Sequence, residues 1–309
     1  MNLAFRVDAS ASMGLGHLRR CLSLAQALRA RGGQCRFVVR DLGLDAASEV
    51  RRAGFACLPL PAPAQSVPPA DPVPHAAWAG VAWRHDAEDT LTALRGHPVD
   101  TLVIDHYAFD ARWHRALRAG LGCRIATIDD LGDRDLGGEW LIDHNHSPDH
   151  RAKYGAHIHA DTLILGGPAH ALLAPVYANA PRHQPQAELR SIGIFMGGAD
   201  ADNFSLLALA ACAAAGFNGA VEIVTTSANP NLAMLHLAAA ARHGTRVLLD
   251  QRDLSDFFAR HGLQIGAGGG ATWERCCIGA PTLALIAADN QRPVLLPLTD
   301  LGVDRKSVV

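Results

Sequence analysis

Short apolar runs rich in β-branched residues alternate with longer stretches of Ala, Leu and Arg along almost the whole chain. In the first half this pattern predicts strands at 3–8, 35–39, 56–60, 101–105 and 123–128, with helices at 17–31, 44–53, 84–95 and 110–119. A Pro- and Ala-rich stretch, 59–74, reads as a surface excursion, and a second break at 174–189 carries Pro175, Pro181 and Pro185. The alternation then restarts. It gives strands at 191–196, 220–225, 246–249, 264–266 and 282–286, and helices at 202–215, 231–242, near 254–260 and from Thr272. Strand–helix alternation of this kind builds parallel sheets covered by helices on both faces. The expected fold class is therefore α/β, with two Rossmann-like domains facing across a cleft, 1–173 and 190–309, joined by the linker 174–189. Such sheets bind ligands beyond the carboxyl ends of their strands, which puts the expected site in the cleft. The last six residues, DRKSVV (304–309), match the translated start of a common short-read sequencing adapter. They are expected to be non-native, with the last helix of the second domain missing.

Composition narrows the partners. The 309 residues, 49% hydrophobic and 19% charged, are ample for two buried cores. A formal net charge of -2 and the lack of a basic block argue against a nucleic-acid partner. The seven cysteines are odd in number and form no CxxC pair, which reads as reduced thiols, most of them in the core, Cys276 and Cys277 included. The N-terminal segment lacks the pattern of a signal peptide, and no apolar run approaches the roughly 20 residues of a membrane span. A cytoplasmic monomer without membrane insertion is expected.

Three glycine-rich junctions carry the candidate chemistry. In the first, VDASASMGLGHLRR (7–20), Gly14 and Gly16 let a ligand approach the backbone, and the helix start offers free N–H groups to an anion. His17 stands on the first helical turn, where the positive helix end disfavours imidazolium and favours a ring able to accept a proton. Read alone, this loop suits a capping histidine as well as a base. The spacing matches neither a dinucleotide fingerprint nor a P-loop, and no cofactor is expected. The second junction, FMGGAD, places Gly197, Gly198 and Ala199 after a strand. The third, GAGGGATWE (266–274), opens a helix with Gly269, Thr272 and Glu274. Its amides suit a diphosphate and its carboxylate suits two ribose hydroxyls. ADNQ (288–291) follows the last predicted strand and offers the Asn290 and Gln291 amides to a sugar, although alone it also reads as a helix cap.

Other constellations point elsewhere. The cluster Asp143, His144, Asn145, His146, Asp149 and His150 has metal-ligand residue types, but alternation would send Asp143 and His144 to opposite faces. Sixteen histidines in the chain also make chance clustering common, so no metal is expected. Asp129–Asp130 suits either substrate contact or packing. The pair Asp105–His106 has no serine or cysteine beside it and reads as no catalytic triad.

RVDAS…MGLGHLRRCLSLAQAL, VIDHY, ATIDDLGDR, FMGGAD and GAGGGATWERCCIGAPTLAL…ADNQ, in that order, resemble the UDP-2,4-diacetamido-2,4,6-trideoxy-β-L-altropyranose hydrolases of pseudaminic acid biosynthesis. That family is related in fold to the GT-B glycosyltransferases. The resemblance covers residue 3 to about Pro293 and implies metal-free attack of water on the sugar C1, with inversion and release of UDP. It implies His17 as general base and Asn290 at the reacting centre, with Tyr107 of DHY lining the sugar pocket. Gly197–Ala199, Gly269 and Glu274 match the nucleotide-binding elements. GGAT (269–272) departs from the commoner GGST. The rival functions are an inverting glycosyltransferase of the same fold and a non-catalytic nucleotide-sugar binding module.

Overall fold

The computed structural model describes residues 1–10, 12–64, 71–288 and 291–303, and the backbone of 305–307. The chain divides into two compact units, Met1–Ala174 and Pro175–Val309. The first contains β1 (Asn2–Val7), β2 (Ala9–Ser10), α1 (Gly16–Arg29), β3 (Gln34–Leu42), α2 (Ala46–Arg52), β4 (Ala56–Leu60) and α3 (Trp83–Ala93). It continues with β5 (Thr101–Asp105), α4 (Ala111–Leu121), β6 (Arg124–Ile128), β7 (Trp140–Asp143), α5 (His150–Tyr154) and β8 (Leu163–Gly166). Its strands pair in parallel in the order β4-β3-β1-β5-β6-β7-β8, and β2 extends the far end of β3. The order reverses between β1 and β5. The carboxyl ends of those two strands therefore flank the crevice where such sheets take ligands.

The two faces of β1 explain why it sits centrally. Leu3, Phe5 and Val7 are buried with Leu18, Cys21 and Ala25 of α1, and Phe5 stacks on Phe37 of β3 at 4.8 Å. Ala4 points the other way, into a second core with Ile104, Trp113 and Leu117. A buried Leu, Val or Phe side chain contributes about 1.5–3 kcal/mol, so these two layers, more than local propensity, hold β1 in the middle.

The second unit contains β9 (Ser191–Phe195), α6 (Phe204–Ala214), β10 (Ala220–Thr225), α7 (Leu232–Ala241), β11 (Thr245–Leu249), α8 (Ser255–Arg260) and β12 (Leu263–Ala267). It ends with α9 (Ala271–Ile278), β13 (Thr282–Leu285), α10 (Arg292–Asp300) and a short strand, β14 (Arg305–Ser307). The parallel order is β11-β10-β9-β12-β13-β14, with its reversal between β9 and β12.

Both units are α/β with parallel sheets, as the hydrophobic pattern predicts, and several boundaries differ for local reasons. The helix expected from residue 202 begins at Phe204. Asp200 and Asn203 adopt positive φ (41° and 60°), and the Asp200 carboxylate accepts from the Phe204 and Ser205 amides instead. β8 was not predicted, since its four residues LILG are at most half-buried at the sheet edge. The stretch 174–189, expected as a linker, packs onto the second unit: Tyr177 is buried and the His183 amide donates to the Ile278 carbonyl at 2.9 Å. Cys276, expected in the core, is exposed, and Cys277 is half-buried, because Trp273 and Ile278 take the inner face of α9. Among the described residues, no helix is long and apolar enough to cross a membrane.

Candidate active site

At the carboxyl end of β1 the chain folds back through a tight turn, in which the Gly14 amide donates to the Ser10 carbonyl at 2.8 Å. Gly14 has φ +69°, and the space where a side chain would stand on Gly14 or Gly16 is open. α1 then starts without a side-chain cap and with no acidic residue in its first turn, so its amides are offered outward.

His17, on that first turn, is buried, and its Nδ1 lies 2.6 Å from Asp105 Oδ1 at the end of β5. Arg20, one turn further along α1, donates Nε to Asp105 Oδ2 (2.6 Å) and Nη2 to Oδ1 (2.7 Å). Burial by itself would raise the Asp105 carboxyl, but the Arg20 guanidinium and His17 outweigh it and hold it well below the usual carboxylate range. An ionised Asp105 accepts the Nδ1 proton and leaves Nε2 as the ring's lone-pair nitrogen. The reading of Asp105–His106 as no catalytic triad did not anticipate this pairing with His17. Neighbouring strand positions point to opposite faces, so Asp105 partners a histidine 88 residues away while His106 faces elsewhere.

Tyr107 stands edge-on to His17, ring centroids 4.7 Å apart, and its hydroxyl donates to Asp130. Asp130 also accepts from Arg20 Nη1 (3.3 Å) and Asn145 Nδ2 (3.1 Å). His144 Nε2 lies 3.5 Å from Arg20 Nη1, and burial with that guanidinium pushes its ring down to about 4, so it is neutral at pH 7. The residues just beyond the expected surface excursion 59–74 supply a wall. The 3-10 turn Ala76–Ala79 and the residue before it bring Trp78 within 5.6 Å and His75 within 5.7 Å of the Tyr107 ring, with Trp78 also 6.4 Å from His17. A histidine, its carboxylate partner and a face of aromatic rings thus share one crevice. Arg20, His75, Trp78 and Asp105 were missed in the sequence. The available signal was a lone carboxylate ending an otherwise apolar buried strand.

Asp143, the first residue of the metal-like cluster, accepts from Lys153 Nζ (2.7 Å) and Tyr154 Oη (3.1 Å) on the opposite side from His144. Asp129 accepts from the Leu131 and Gly132 amides (3.1 and 2.9 Å), so it shapes a turn, whereas its neighbour Asp130 belongs to the crevice.

In the second unit the glycine junctions sit side by side at the reversal point. Gly197 (φ +92°), Gly198 and Ala199 follow β9, and Gly269 follows β12. The start of α6 is occupied by Asp200, while α9 starts without a side-chain cap and with open space above Gly269 and Gly270. Arg275 is buried beneath this loop, its Nη2 donating to the Ala267 carbonyl (2.9 Å) and to Thr272 Oγ1 (3.3 Å), which brings a positive charge under the amides. Gln291 Oε1 accepts from the Gly268 and Ala287 amides (3.1 and 2.9 Å), tying the loop after β12 to the end of β13. Glu274 is half-buried and faces the Tyr177 phenol, whose ionisation is pushed up by burial and by Glu274. Asn290 lies outside the described residues.

No protein family profile matches the chain. The UDP-2,4-diacetamido-2,4,6-trideoxy-beta-L-altropyranose hydrolase of Campylobacter jejuni is 20% identical over 304 residues, 98% of each chain. Among solved structures, MurG of Acinetobacter baumannii superposes with a TM-score of 0.61 at 12% identity, covering 99% of this chain and 86% of its own. UGT89C1 of Arabidopsis thaliana, complexed with UDP-L-rhamnose, gives 0.65 at 13% identity, covering 100% of this chain and 85% of its own. A UDP-glucosyltransferase from Polygonum tinctorium gives 0.65 at 13%, with 97% and 83% covered. At such identities the likeness speaks for the fold, two Rossmann-like domains of the GT-B type.

Proposed function

We propose that this protein hydrolyses a UDP-linked 2,4-diacetamido-2,4,6-trideoxy sugar at C1, releasing UDP and the free sugar. The observation that carries the reading is the His17–Asp105 pair at the carboxyl ends of β1 and β5, where the sheet reverses. The substrate's two parts are assigned separately. The nucleotide diphosphate goes to the amides of Gly197, Gly198, Ala199 and Gly269, with Glu274 on the ribose. The sugar ring goes to the wall beside His17, with Tyr107 against it and Gly14 and Gly16 allowing close approach. Asn290 and Gln291 complete the set, Gln291 through its hold on the loop after β12.

His17 Nε2 takes a proton from water as the water oxygen bonds to C1 from the face opposite the leaving group. The C1–O bond breaks, its electron pair leaves on the diphosphate oxygen, and the configuration at C1 inverts. Asp105 keeps the ring in the productive tautomer and stabilises the imidazolium that forms. UDP is a good leaving group, so a base and a cradle of amide donors suffice, and EDTA is expected to leave the rate unchanged. Full-length likeness to the Campylobacter hydrolase supports water as the acceptor. Likeness to glycosyltransferases favours a second reading, in which the same base deprotonates an alcohol. His17→Ala is expected to bind UDP as the wild type does and to release none from the sugar nucleotide. Hydrolysis by that variant at the wild-type rate would remove the base assignment, and formation of a glycoside at the expense of free sugar on adding alcohols would favour transfer.

A further inference from the structure

Behind the crevice, on the face of the sheet turned away from α1, β1 and β5 end in a second pair of facing side chains. The parallel register runs to Val7 opposite Asp105, so Asp8 and His106 stand opposite each other one position beyond. Both are buried. Asp8 Oδ1 accepts from the Arg40 amide (2.6 Å) and from Arg6, while Oδ2 faces His106 Nε2 at 3.2 Å. The Ala108 amide donates to His106 Nδ1 (3.1 Å), which places the ring proton on Nε2, the nitrogen in contact with Asp8. Burial pushes the His106 ring below its ordinary value, in keeping with that neutral form. The ring also stacks on Phe109 at 4.5 Å, and Arg134 donates to the His106 carbonyl. The two strand ends thus touch through these buried side chains. The residue after Asp8 begins β2, whose Ser10 carbonyl accepts from the Gly14 amide in the turn before His17, and the residues either side of His106 are Asp105 and Tyr107.

We infer that His106 is a positioning residue for the His17–Asp105 pair, acting through Asp8. This rests on the reading of His17 as the base. A shift of the β5 end moves the carboxylate that fixes the imidazole and the phenol packed against it, and it leaves the nucleotide loops of the second unit untouched. Losses for such supporting contacts run to about 10- to 100-fold.

The test compares His106→Gln, whose amide nitrogen can take the place of Nε2, with His106→Asn, whose amide falls short of Asp8. H106N is expected to lower kcat about 10- to 100-fold, with KM and the UDP Kd within about twofold of wild type, and H106Q is expected to recover most of the loss. A second readout is independent of turnover. The downfield proton resonance of His17 Nδ1–H, identified by its loss in H17A, is expected to move in H106N and stay in place in H106Q. This resonance decides the matter even if the wild type releases no UDP, so failure of the positioning role and failure of the proposed reaction are distinguishable. Folded H106N with wild-type kcat and resonance would overturn the inference, as would folded H106Q with kcat or resonance lost. If H106N does not fold, that second outcome still judges it.

Discussion

Asp105→Asn is the sharpest perturbation of the crevice because it changes charge and leaves shape almost intact. Asp105 presents its two oxygens to three donors within 2.7 Å: His17 Nδ1, Arg20 Nη2 and Arg20 Nε. A carboxamide has one oxygen. Turned toward His17, it keeps the tautomer but sets its NH2 against Arg20 Nε–H. Turned the other way, it sets NH2 against Arg20 Nη2 and drives the His17 proton to Nε2, the nitrogen that the proposed reaction needs free. Neither orientation leaves an anion to stabilise imidazolium. Removing the carboxylate behind a histidine base costs about 10²- to 10⁴-fold, or about 3–5 kcal/mol of barrier. UDP release by D105N, followed by NMR at pH 7.5, is expected to fall within that range while the UDP Kd stays within about twofold of wild type. A folded D105N with kcat within about twofold of wild type would refute the orienting role of Asp105.

Two further outcomes follow from the geometry. A Cβ on Gly268 would come within 2.4 Å of Leu295, a buried residue of α10, whereas one on Gly269 meets nothing within 4 Å. Gly268→Ala is therefore expected to cost about 1–3 kcal/mol in denaturant melts, while Gly269→Ala melts like wild type and binds UDP about tenfold or more weakly by calorimetry. Burial would raise Asp130, but Arg20, His144 and the Tyr107 phenol bring it from 3.8 down to about 2. A depressed carboxyl contributes stability above its unfolded value and loses it as pH falls through the folded one. Asp130→Asn is thus expected to be about 2 kcal/mol less stable at pH 7, with the gap to wild type closing between about pH 4 and 2. A gap that stays constant with pH would contradict the ion-pair account.

How far the sequence reached depended on whether a signal was local. β5 and β10 run over the predicted residues because each is a short stretch rich in β-branched residues that lies between turn or helix signals. The glycine junctions were legible for the same reason, since strand, small residues and helix lie within a dozen positions. Asp105 was not, because its meaning lies in pairing with a residue 88 positions away, across the β1–β5 contact that only the topology supplies. Arg6 and Asp8 carried a clue, opposite charges two apart in a buried strand, so both on one face. Trp78 and His75 had none: a short turn that follows a Pro-rich stretch looks in sequence like any loop.

The measurement that bears most directly on the central claim is hydrolysis of the UDP-linked diacetamido-trideoxy sugar in ¹⁸O-labelled water. The products are read by mass spectrometry, and the first-formed anomer by NMR before mutarotation. Attack at C1 predicts the label on the anomeric hydroxyl of a sugar of inverted configuration, with UDP unlabelled. Label in the terminal phosphate of UDP, or retained configuration in the first-formed sugar, would contradict the account.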